Sequence, residues 1–184
     1  MRIARKLSAD QETIHRFITV LGGAMIELSS NRLARPEFFI QAHAFIGEYI
    51  EGRFFKKEEL LIKTLEDVGF PPEDGPIGFI RTEQIKSHDA AAHMFSAAEH
   101  WRTGDEQARV EVGWAASEYI STVRQHLARL KTLIFPLIEQ NLSIEEEHSL
   151  SESVDKLVFN GDLRNVEKYS NLIVTLEEEL SDWR

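Results

Sequence analysis

The chain has 184 residues, no cysteine and a formal net charge of -10 at pH 7. A single core of ordinary domain size is expected at this length. Disulfides, thiolate metal sites and cysteine nucleophiles are excluded, and the acidic excess opposes binding to nucleic acid or an anionic membrane surface. Neither end reads as a membrane span or a signal peptide, so a cytoplasmic location is expected.

From Ala9 to Ser30 the apolar residues Ile14, Ile18, Leu21, Met25 and Leu28 recur at intervals of three and four, the helical period. Ser8 or Asp10 is placed to cap the start, and Gly22 and Gly23 offer a surface for close packing. Pro36 opens a second helix that extends to about Asp67 through Phe39, Ile46, Ile50, Leu61 and Leu65. The run from Gly69 to Pro76 holds three prolines and two glycines and reads as a loop. A third helix is expected from about Ile77 to His100, with Ile80, Ile85, Ala92 and Phe95 on it, and a fourth from about Asp105 to Gln140, loosened near its end by Pro136. Shorter helices at 144–159 and 163–183, separated by Asn160 and Gly161, complete the chain. The reading is all-α, one domain over 1–184. Its main part, 9–140, is an up-down-up-down four-helix bundle with a C-terminal helical extension.

The polar residues on these helices are unusual for their place. Arg53 and Lys57 fall on the three-and-four path that also carries Ile46, Ile50 and Leu61. Gln84 stacks beneath His88 on the third helix, His126 lies among Thr122, Val123 and Leu130 on the fourth with Lys131 at the edge of that stripe, and His15 precedes Ile18 on the first. Each main helix therefore offers a polar side chain to a common interior layer. Burying such groups requires water, a bound ion or strong pairing.

The words His15-Arg16-Phe17-Ile18, Phe45-Ile46, Lys56-Lys57-Glu58-Glu59-Leu60-Leu61, Gly69-Phe70-Pro71, Gly75-Pro76-Ile77-Gly78 and His126 followed by Leu133-Ile134-Phe135-Pro136 occur in an order and spacing that resembles the hemerythrin-like family with its HHE cation-binding domain. The resemblance extends over about 9–160, and the tail is also similar. It implies a dinuclear metal centre with one histidine from the first helix, here His15. A histidine and a carboxylate four apart come from the second, here Arg53 and Lys57. Two histidines four apart come from the third, here Gln84 and His88, and a histidine and a carboxylate five apart come from the fourth, here His126 and Lys131. Both bridging carboxylates are thus replaced by lysine. Glu58 is one residue from Lys57, a step that rotates the side chain by about 100 degrees around an α-helix.

An ammonium or guanidinium group has no lone pair for a cation, and a dinuclear centre needs anionic bridges. The ligand set implied by the resemblance is therefore degenerate, and no cofactor is the first expectation. The alternative is iron or zinc on the remnant His15, His88 and His126, joined by water or a displaced Glu58 or Glu83. Arg53, Lys57, Gln84 and Lys131 would bind a small anion or small molecule, or else pair locally with carboxylates. No nucleophile, acid and base set is evident, and no glycine-rich phosphate loop follows a strand. The functional expectation is a noncatalytic ligand-binding or regulatory protein. A metalloprotein of oxygen or redox sensing and a structural interaction protein are the alternatives, and a homo-oligomer stays open.

Overall fold

The computed structural model describes residues 2–160 and 166–184, the side chains of Phe159 and Asn160 apart. Among the described residues there is no strand, and they form six helical runs. α1 is Arg2–Glu27. α2 covers 36–67 and consists of an α-helical Pro36–Phe45, a π-helical Ile46–Phe54 and an α-helical Phe55–Asp67. α3 is Gly75–Arg102. α4 covers 108–141, with a π-helical turn, Leu130–Ile134, between Ala108–Arg129 and Phe135–Asn141. α5 is Ile144–Asn160 and α6 is Val166–Asp182. Asn160 thus belongs to α5; Gly161, expected to part the last two helices, lies outside the described residues.

Three local expectations need correction. α1 begins at Arg2, seven residues before Ala9, because Ile3 and Leu7 continue the apolar stripe and are fully buried. Ser8 and Asp10 therefore cap nothing: Ser8 donates to the Arg5 carbonyl within the helix, and Asp10 lies in the core. α3 begins at Gly75, with Pro76 in its first turn, where the missing N–H is no loss. On α3, Ile85 and Ala92 face solvent, and the buried side is Ile77, Ile80, Ser87, Ala91, Met94 and Trp101.

The helix ends follow backbone chemistry. α2 stops where Gly69 takes φ 103°, which lets the Phe70 N–H reach back to the Leu65 carbonyl at 3.0 Å. α3 stops in the same way, with Gly104 at φ 109° and the Asp105 N–H on the His100 carbonyl at 3.1 Å. Pro136 does perturb α4. Its ring cannot follow a regular α-turn, and the wider π turn just before it closes with the Phe135 N–H bonded to the Leu130 carbonyl.

α3 and α4 pack along their length, α1 lies against α4, and α2 against α3. α5 and α6 return to cover α1 and α2. The core runs through all six helices, with Phe17 stacked on Phe45 at 4.4 Å and Phe45 on Tyr49 at 5.1 Å. No described helix is long and apolar enough to cross a membrane.

Candidate functional site

Two buried polar clusters interrupt this core, and adjacent residues of α2 enter both. Lys57 is 4% exposed and Glu58 is 0% exposed. The 100-degree step between them is what divides them, because it sends Lys57 towards α1 and Glu58 towards α3 and α4. Upstream, the π-helical segment shifts the phase of α2, since its hydrogen bonds span five residues rather than four. Phe54 consequently takes the core position, and Arg53 moves to the edge.

The first cluster is centred on His126, 2% exposed. Its Nε2–H donates to Glu58 Oε1 at 2.6 Å, and its Nδ1–H donates to Glu83 Oε2 at 3.0 Å. The other oxygen of Glu83 accepts from Arg129 Nε at 2.7 Å, and the other oxygen of Glu58 accepts from Gln84 Nε2 at 2.7 Å. Burial lowers the affinity of His126 for its second proton, but Glu58 and Glu83 outweigh burial and push its pKa up to about 9. Burial raises the Glu83 pKa, yet the bonds from His126 and Arg129 prevail and hold it below the ordinary carboxylate value. The cluster is an imidazolium and a guanidinium set against two carboxylates, neutral in sum. The edge of Phe55 closes over the ring, with centroids 5.5 Å apart.

The second cluster lies between α1 and α2. Lys57 Nζ donates to Asp10 Oδ2, and the Tyr49 hydroxyl donates to Asp10 Oδ1 at 2.7 Å, all three residues being buried. Burial first, then the Asp10 charge and the bond to it, push the Tyr49 pKa well above that of a free phenol. The Arg53 guanidinium sits over the Tyr49 ring, 5.7 Å from its centroid, with a buried Nε that has no hydrogen-bond partner.

The residues singled out in the sequence divide accordingly. Gln84 and His126 meet through Glu58; Lys57 and Arg53 meet around Tyr49. His15 and Lys131 are exposed and join neither cluster. His88 is also exposed, and its Nδ1 contacts Glu51 at 2.9 Å. Asp10, which reads in the sequence as a cap, and Tyr49 and Arg129, which carry no sequence signal, complete the clusters. Asp10 had a signal: it falls three after Leu7 and four before Ile14, on the apolar stripe itself.

This donor set does not fit a dinuclear metal centre. Lys57 presents an ammonium group already bound to Asp10, Lys131 and His15 are exposed to solvent, and both ring nitrogens of His126 are engaged by carboxylates, Nε2 by Glu58 and Nδ1 by Glu83. Among the described residues no group of three or more histidine, aspartate or glutamate side chains is arranged to hold a metal ion. Comparison with protein-family models, with characterised proteins and with solved structures found no match.

Proposed function

We propose that the chain is a noncatalytic hemerythrin-like four-helix bundle with a degenerate di-iron site, acting through binding or regulation. One observation carries the reading: the His126 ring is engaged at both nitrogens by Glu58 and Glu83, with Arg129 behind Glu83. In a metal-bearing interior, cations offset buried carboxylates. Here protonated side chains supply that charge, and Lys57 does the same for Asp10. An interior neutralised in this way has no open coordination position and no free base for proton transfer. A small anion at Lys57 is disfavoured for the same reason, because Asp10 already occupies the ammonium group.

The test is metal analysis of protein purified without chelator or a metal-binding tag, followed by iron and zinc reconstitution across pH. Less than about one tightly bound ion per chain is expected, because any metal must first displace the proton on His126. A bound iron pair that disappears in a folded His126→Ala variant would reverse the reading. A single ion with the same dependence would establish the mononuclear alternative.

A further inference from the structure

The second half of α1 runs antiparallel to the first half of α4, and an open groove follows the seam between them. Its walls are apolar and face solvent: Trp114 is 69% exposed, Ile26 66% and Val110 54%. Between the walls the lining residues are small, Gly22, Gly113, Ser117 and Ser121, which leaves room for a further helix to lie along the seam.

Charge marks the two ends of the groove. Arg109 reaches across to the Leu28 carbonyl at 2.6 Å and to the Asn31 carbonyl, with its guanidinium over the Trp101 ring. These partners are neutral, so they fix the side chain without cancelling its charge. Arg32, exposed in the turn after α1, lines the same end. Arg124, also exposed, lines the other end, and from Arg109 to Arg124 α4 advances by about 22 Å. None of the three arginines pairs with a carboxylate among the described residues, and Glu106 is the one acidic residue lining the groove. In a chain of net charge -10 this is a local reversal of sign.

We propose that the groove is the docking site for an acidic amphipathic helix of another protein, with an apolar stripe along its middle and carboxylates at both ends. Apolar side chains three and four apart on such a helix would cover Trp114, Val110 and Ile26. Its terminal carboxylates would meet Arg32 and Arg109 at one end and Arg124 at the other. Other occupants answer only part of this surface. A second copy docked through the same groove would bring the arginines face to face. A nucleic acid or an anionic membrane would leave the apolar walls without a matching partner and would meet the acidic excess of the whole molecule at long range. The groove shares no residue with the two buried clusters.

The test uses the full-length protein and synthetic helical peptides of about 18 residues, long enough to span the two ends. All carry one leucine stripe, and their ends bear glutamates, glutamines or lysines. Trp101 and Trp183 are 6% and 5% exposed, so a blue shift of the tryptophan emission reports cover over Trp114. The glutamate peptide should bind saturably, at least about tenfold tighter than the glutamine peptide, and the lysine peptide should not bind. By anisotropy of the labelled glutamate peptide, Trp114→Ala should weaken binding at least about tenfold. Arg32→Glu and Arg124→Glu should each weaken it by roughly fivefold in low salt. All three side chains are exposed, and unchanged helical circular dichroism would verify that the variants fold. No saturable binding of the glutamate peptide overturns the proposal, as does equal binding of the three peptides or indifference to both arginine reversals. Binding to phosphatidylserine vesicles or duplex DNA that is lost in the arginine variants, with the glutamate peptide ignored, overturns it in favour of an anionic surface.

Discussion

His126 keeps its second proton only while Glu58 and Glu83 accept from it, which ties protonation to folding. Its pKa rises from an ordinary 6.5 to about 9 in the folded chain. The stabilisation is therefore fully present below pH 6.5 and fades as pH rises through about 9, a loss on the order of 3 kcal/mol. Glu83 acts in the opposite sense: its lowered pKa contributes stability above the unfolded carboxylate range and loses it on acidification. Urea unfolding from pH 6 to 10 should show the alkaline decline in the wild type, while His126→Gln should start lower and lack that slope. An equal slope in both would exclude His126 as its source. In the second cluster, Lys57→Met strands the Asp10 carboxylate beside Tyr49 and should cost about 3–5 kcal/mol. Asp10→Asn combined with Lys57→Met removes both charges while leaving Tyr49 an acceptor, and should cost less than Lys57→Met alone. A double variant as unstable as Lys57→Met would mean that packing, not charge, sets the cost. The sequence made His126, Lys57 and Gln84 conspicuous because polar groups on an apolar stripe are rare. It could not show which carboxylates meet them, since Asp10, Glu58 and Glu83 come from three different helices.

Helical periodicity made each long element legible, because three-and-four spacing records which side of a helix is buried. What it could not record is a change of period. Across Ile46–Phe54 the π-helical turns delay the phase, so Phe54 replaces Arg53 in the core. Two glycines of this segment provide a test. A Cβ on Gly52 would lie 2.9 Å from the Gly47 carbonyl oxygen, whereas a Cβ on Gly47 would have nothing within 4 Å. Gly52→Ala should therefore destabilise by about 1–2 kcal/mol, and Gly47→Ala should be neutral or stabilise by up to about 1 kcal/mol. Chemical denaturation of the two variants distinguishes them by sign. Indistinguishable effects would count against the π register. The start of α1 was misjudged for a different reason: Ser8 and Asp10 have the composition of a cap, but the stripe formed by Ile3 and Leu7 continues through them, and burial prevails over local propensity.

The six helices form one continuous core, and α6 closes the side of it where α1 and α2 meet. Ile173, Leu176, Leu180 and Trp183 point inward, with the Trp183 ring 5.0 Å from Phe38. The Asn31 side chain donates to the Trp183 carbonyl, which anchors the end of the chain to the turn after α1. Gly23 of α1 marks how closely α6 approaches, since a Cβ there would lie 2.8 Å from Leu180 Cδ2. Around this apolar strip runs a rim of ion pairs, Arg16 with Glu177, Arg35 with Glu179 at 2.9 Å and Arg184 with Glu27 at 3.2 Å. The two kinds of contact differ in what they contribute. Pairs of this sort, with the basic partner in solvent and the carboxylate half-buried, stabilise by about 1 kcal/mol, while a buried aromatic truncated to alanine costs about 3–5 kcal/mol. Trp183→Ala should therefore lower the unfolding free energy of the whole chain by that larger amount and expose the Phe38 side of the core to protease. Arg35→Gln should leave both nearly unchanged. If Trp183→Ala instead melts α6 in a separate, earlier transition and leaves the main transition in place, the last helix is an appendage rather than part of the cooperative unit.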